Sequence, residues 1–279
     1  MEAKVGPLLA YWRNLRRMSQ LALATQAEVS PRHVSFIESG RAKPSRDMVL
    51  LLASVLDVPL RERNTLLQAA GFAAAYRESE LAAPQLATVK RALDAILAQH
   101  LPFPAVVLDR RWNIVGANDG ADRFFAMLLA GGTADQLGPP NVLRLVFHPA
   151  GLRPWITNWE AVAEELIHRV HREAVGQAPD DDVHRLVAEV LAYPGVPATW
   201  RRPEHAAPLL PVIPVCFERD GRRFSYFSTV TTLGTPIDVT AQELRIECFY
   251  PTDDDTRRAA HHLASGSASR PQGPRSDAT

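Results

Sequence analysis

The stretch VSPRHVSFIESGRAKPS (Val29–Ser45) decides how the first part of the chain folds. Ser30 is a helix-capping residue, and Pro31 stands at the first helical position, where its missing N–H costs nothing. Gly40 ends the helix, and Ser45 caps the next. With Val34 as the inward reference, a rotation of about 100° per residue puts Ile37 beside it. Arg32, Ser35, Phe36 and Ser39 then fall on the far side. This helix therefore presents a basic and a bulky aromatic side chain together, on a face that calls for something to cover it.

Its neighbours extend the pattern. Val5, Leu8, Leu9, Trp12 and Leu15 recur at helical spacing. Ser19 caps a second helix with Leu23, Ala24 and Ala27 on one face. After Ser45, Met48, Leu51, Leu52 and Val55 are expected to point inward. A fifth helix runs from about Pro59 to Ala69, and Gly71 stops it. Five short helices with tight turns give an all-α unit over residues 1–72.

Charge separates this unit from the rest. Formal net charge is zero, yet residues 1–70 carry 10 Lys and Arg against 6 Asp and Glu. Up to Arg46 the bias sharpens to 8 against 3. A basic end on a neutral chain implies a polyanionic partner for that end alone. A helix-turn-helix lays its second helix in the major groove of DNA. There an arginine can donate two hydrogen bonds to guanine, a serine can bond either way, and a phenylalanine can meet a thymine methyl. The candidate DNA-binding residues are Gln20, Ser30, Pro31, Arg32, His33, Ser35, Phe36, Ser39, Arg41, Lys43 and Arg46. Of these, Gln20, Arg41, Lys43 and Arg46 are set for phosphates.

Residues 8–70 resemble the phage-repressor-like helix-turn-helix domains of the XRE family. Gln20, Leu23, Ala24, Val29, Ser30, Val34, Ile37, Glu38, Gly40, Pro44 and Ser45 carry the resemblance, without a gap. One departure is Glu28, where the family usually has glycine in the turn. A non-glycine residue there costs about 1 kcal/mol of backbone strain.

Residues 73–100 read as a linker and a connecting helix, with Leu86, Val89, Leu93, Ile96 and Leu97 on one face. PAVVLDRRWNIVGAN then reads as a hairpin. Three or four helices are expected between about 118 and 193. Three strand-like runs follow: LPVIPVCFE, RFSYFSTVTT and ELRIECFY. The last alternates Leu244, Ile246, Cys248 and Tyr250 against Arg245 and Glu247, as a half-buried strand does. Two strands, a helical block and three strands make an α+β domain over 101–256. Helices on one face of a five-stranded antiparallel sheet would fit. The acidic, then Ser/Gly/Pro-rich tail over 257–279 is expected to be disordered.

Residues 103–258 resemble the ligand-binding domain of MmyB-like regulators, a PAS-like fold. PAVVLDRRWNIVGAN, PNVLRLVFHP, NWEAVAEELIHRVHREAVGQAPDDDVHRLVAEVL and SYFSTVTTLGTPIDVTAQELRIECFYP carry the resemblance. It implies a cavity for apolar small molecules, fatty acids among them. The large apolar residues of this block suit such a pocket, although any one of them suits a packed core equally. Trp112, Phe124, Phe147, Trp155, Trp159, Tyr226, Phe227 and Ile246 are the candidate ligand-binding residues. Arg144 joins them as an anchor for a carboxylate.

Other chemistry is disfavoured. There is no HExxH helix, no GxSxG elbow and no phosphate-binding glycine loop. Glu164, His168 and His171 have helical metal spacing but lie opposite the face defined by Trp159, Val162, Leu166 and Val170. They read as a solvated face, and His261 and His262 have no companion ligands. Cys216 and Cys248 fall in different strands and read as inert thiols in a reducing cytoplasm. No metal, cofactor, catalytic residue or membrane span is expected. The sequence points to a cytoplasmic transcription regulator, a repressor and homodimer on double-stranded DNA, controlled by a small apolar ligand. The alternative is a second domain that docks a protein partner.

Overall fold

The computed structural model describes residues 4–132, 137–175, 181–201 and 212–265. The chain divides into two compact units. One holds residues 4–88 with the later segments 172–175 and 233–243. The other holds 89–171, 181–201, 212–232 and 244–265.

Five helices build the first unit: α1 (Val5–Leu15), α2 (Gln20–Gln26), α3 (Pro31–Glu38), α4 (Arg46–Val55) and α5 (Leu60–Ala69). Three are capped alike. Ser19, Ser30 and Ser45 accept hydrogen bonds from the N–H groups of Ala22, His33 and Met48 at 3.0, 3.2 and 3.2 Å. Each satisfies one donor that the first helical turn leaves open. Leu9, Trp12, Leu23, Val34, Ile37, Leu52 and Leu66 are buried together in one core. The α4 face is rotated from the expected one: Val49, Leu52 and Ala53 are buried, and Leu51 is exposed. Gly6 lets α1 close on α3, since a Cβ there would meet the carbonyl oxygens of Ile37 and Glu38 at 2.5 Å.

In the second unit, α6 (Ala87–Gln99) leads into β1 (Ala105–Leu108) and β2 (Ile114–Ala117). Helices α7 (Asp119–Leu129), α8 (Val142–Phe147), α9 (Trp159–Val175) and α10 (Asp181–Val190) follow. Then come β3 (Val215–Arg219), β4 (Arg222–Thr231), the short α11 (Val239–Glu243), β5 (Arg245–Pro251) and α12 (Asp254–Ser265). The five strands form one antiparallel sheet in the order β2-β1-β5-β4-β3.

Two expectations need correction. The sheet is covered on both faces. Val106 pairs with Glu247, and Ser228 with Phe249, on one face. Val107 pairs with Gly116 and Ile246 on the other, where Leu97 of α6 lies over Gly116. Buried Leu244, Ile246 and Cys248 thus alternate with Glu247 and Phe249, which turn to the helical block rather than to water.

The second correction concerns the tail, whose first part is helical. Asp253 accepts the Thr256 N–H at 2.6 Å as a cap, and Asp254 and Asp255 occupy the first turn. Those acids stabilise a helix start, and buried Thr256 and Ala260 anchor α12, which packs on α7 and β4. Residues 266–279 lie outside the described residues.

Candidate functional site

Helix α3 presents the face expected of it. Val34 and Ile37 are buried, and Pro31, Arg32 and Ser39 are exposed, as are Ser30, Arg41, Lys43 and Arg46 around them. His33, Ser35 and Phe36 are half-buried. Phe36 is not bare: the guanidinium carbons of Arg32 and Arg41 lie 5.0 and 5.9 Å from its ring centre. A cation over an aromatic face is attractive. The ring therefore holds two guanidiniums in one cluster.

Behind this face sits an ionic knot. Arg13 donates to both carboxylate oxygens of Glu38 at 2.7 and 2.9 Å. Gln20 Nε2 adds a bond to Glu38 at 2.7 Å. The side chains of Arg13 and Glu38 are only 12% and 7% exposed. Glu38, through its hydrogen bonds first, raises the Arg13 pKa above the usual guanidinium value. The Gln20 amide thus ties α2 to α3. In the turn between them, Glu28 has φ +53°, a conformation glycine adopts without cost.

A second feature of this unit had no sequence signal. Residues 233–243, the connection from β4 to β5, join α5 and the segment after it. Gln242 Oε1 accepts the Leu60 N–H at 2.7 Å, and the Val239 N–H donates to the Arg77 carbonyl at 2.8 Å. Arg61 donates to both oxygens of Glu243 at 2.7 and 3.0 Å and also pairs with Glu78. Asp238 accepts the Ser79 hydroxyl at 2.7 Å and caps α11 through the Thr240 N–H. The supposed linker is held as well: Asn64 bonds the backbone of Ala75 and Tyr76.

The second unit contains a cavity of about 160 Å³ between its sheet and its helices. Aliphatic side chains wall most of it, among them Val106, Ile114, Val142, Leu145, Leu152, Ile156, Val162 and Leu166. Phe125, Phe217 and Phe249 contribute rings. Its polar groups are Glu165, Arg169, Ser228 and Glu247.

None of the nine expected ligand-binding residues lines this cavity. The aromatic ones fill core by packing on each other and on cations. Phe124 meets Phe217, Phe224 and Tyr226 edge-on at 5.1–5.4 Å. Phe147 packs against Trp159, whose Nε1 donates to the Val146 carbonyl. Trp112 lies under the guanidiniums of Arg169 and Arg245, and Trp155 under that of Arg219. Phe227 stacks on Tyr250, and Ile246 belongs to the opposite sheet face. Arg144 is committed to Glu189 through two bonds at 2.8 and 2.9 Å. That pairing, with a Tyr193 bond, holds the Glu189 carboxyl below its usual range. An alternation read across β1, β4 and β5 together would have found Val106, Ser228, Glu247 and Phe249.

His171 also departs from the solvated-face reading. It is half-buried, with its Nε2 shut from solvent. Burial, then the charges of His168 and His184, hold its pKa below the usual histidine value. Among the described residues, no three His, Cys, Asp or Glu side chains are grouped to hold a metal ion, and no helix is long and apolar enough to cross a membrane.

Residues 89–263 match the family model of the MmyB-like transcription regulator ligand binding domain, and residues 9–63 match a helix-turn-helix model. Among curated proteins, none matches the chain. Six solved chains do, one of them described as the structure of an RNA-binding Light-Oxygen-Voltage receptor. That match has 13% identity, 94% coverage of this chain and a TM-score of 0.28, too low to bear on the fold. The chain spans 62% of that receptor's length.

Proposed function

The chain belongs to the MmyB-like transcription regulators, and from that premise we propose that it binds paired DNA half-sites as a homodimer whose affinity is set by a small apolar molecule in the second unit. The observation that carries this reading is one chain that bears a guanidinium-bearing α3 face in its first unit and an aliphatic cavity in its second. Arg32 and Ser35 read base edges, and Arg41, Lys43 and Arg46 hold phosphates. One helix-turn-helix reads few base pairs, so two copies are needed, with half-sites about 34–36 Å apart.

Coupling needs an element whose arrangement both sites bias. The 233–243 segment fits that role. The chain leaves the cavity strand β4, binds α5 through Gln242 and Glu243, and returns into cavity strand β5. Arg61→Met is expected to shrink the ligand-driven change in DNA affinity while sparing affinity without ligand.

Selection from a random duplex pool with the full chain tests the DNA half of the proposal. Two half-sites at helical-turn spacing are the expected product; enrichment of nothing above the input pool contradicts it. Mass spectrometry of the denatured, purified protein tests the other half by seeking a released apolar compound.

A further inference from the structure

We propose that Phe36 is a positioning residue: its ring gathers the guanidiniums of Arg32 and Arg41 before DNA arrives, and it serves DNA binding through them rather than by touching a thymine methyl. This rests on the reading above, that the α3 face binds DNA, and revises the role expected of Phe36.

The backbone brings the three side chains together by two routes. Arg32 and Phe36 stand four residues apart on α3, so their side chains are neighbours on one side of the helix. Arg41 lies past the helix end. Gly40, at φ +74°, turns the chain back in the left-handed conformation that closes many helices. That turn lets the Arg41 N–H donate to the Phe36 carbonyl at 2.8 Å. Phe36 therefore meets Arg41 twice, once by its carbonyl at the backbone and once by its ring, 5.9 Å from the guanidinium carbon.

The ring leaves both cations available. Among the described residues, Phe36 is the one partner that either guanidinium has. A contact with a ring face uses no N–H donor, so each guanidinium keeps its donors for an outside acceptor. Two long, exposed side chains otherwise sample many rotamers, and fixing them on DNA opposes binding. Attraction to a half-buried ring in the free protein removes part of that cost.

The test begins without DNA. In the full chain with labelled arginines, the ring current of Phe36 should move the side-chain proton resonances of Arg32 and Arg41 away from those of exposed arginines. Phe36→Leu should abolish that shift, and Phe36→Tyr should keep it. On the selected operator, Phe36→Leu should weaken binding about tenfold, and Phe36→Tyr should recover most of the loss. In a chain already carrying Arg32→Ala and Arg41→Ala, titrated at low salt, Phe36→Leu should cost less than about twofold. Replacing each operator thymine in turn by deoxyuridine should leave the tenfold loss in place. Unshifted arginine resonances in the unmutated chain overturn the inference, even if Phe36→Leu fails to fold. So does a Phe36→Leu loss that is absent, that Phe36→Tyr does not recover, that persists in the double-alanine chain, or that vanishes with one deoxyuridine. None of these results touches the reading of the α3 face as a DNA site. That reading fails instead if Arg32→Ala and Arg41→Ala together leave operator affinity unchanged, and the inference about Phe36 fails with it.

Discussion

The two units carry their candidate sites in different ways. In the first, the site is one face of one helix. Its phase is set by Val34 and Ile37 a few residues away, so the pattern that buries the helix also exposes Arg32 and Ser39. In the second, the site is a space that side chains leave unfilled, and Val106, Val162 and Glu247 reach it from three distant segments. A surface site follows from local period. A cavity follows from what fails to meet, which no single segment encodes.

The largest expected effect tests how firmly the first unit holds its face. Glu38→Ala leaves Arg13 and Gln20 without their shared, buried acceptor. Removing one member of a buried ion pair typically costs about 3–5 kcal/mol. Denaturant unfolding should place this variant's loss at the low end of that range. A loss under about 0.5 kcal/mol would mean that the knot does not hold α3 in place.

Next comes the reading face. Arg32→Ala should weaken binding to the selected operator by about 1–3 kcal/mol and relax preference at one base pair. Lys43→Ala should weaken all DNA alike and flatten the salt dependence by about one unit. Gel-shift titrations on operator and random DNA across a salt series separate the two. Equal losses on both DNAs for Arg32→Ala would make it a phosphate contact and dissolve the link between helix phase and readout.

Glu28→Gly sharpens the account of the turn. Relief of the +53° strain should stabilise the first unit by up to about 1 kcal/mol. Loss of a negative charge should also tighten DNA binding. An unchanged melting temperature would mean that the surrounding turn bears no strain.

The smallest effect belongs to the second unit. His171 has a depressed pKa when folded, so the fold favours its neutral form. Its contribution is full above the unfolded value of about 6.5 and is lost as pH falls through the folded pKa. Melting temperatures taken at falling pH should drop less for His171→Gln than for the unmutated chain. Parallel curves would remove the effect.

These differences explain what was legible. The helix-turn-helix, the antiparallel sheet and its helical block follow from caps, periods and turns. The sheet's second covered face did not, because Leu244, Ile246 and Cys248 mark a buried side without saying that Glu247 is covered too. Large aromatics drew attention to the cavity, yet Phe124 packs on Phe125 and Phe217, and Phe147 on Trp159. The 233–243 segment was invisible because Gln242 and Glu243 look like any exposed polar pair until Leu60 and Arg61 meet them. Acids in the tail suggested disorder, but acids also begin helices.

The central claim is that filling the cavity changes how the α3 face holds DNA. Its most direct test is operator affinity of the full chain, without ligand and then saturated with the tightest apolar compound found by thermal shift. The account predicts a change of about 5- to 150-fold, the usual range of coupling between two sites. A compound that saturates the second unit and leaves operator affinity unchanged would contradict it.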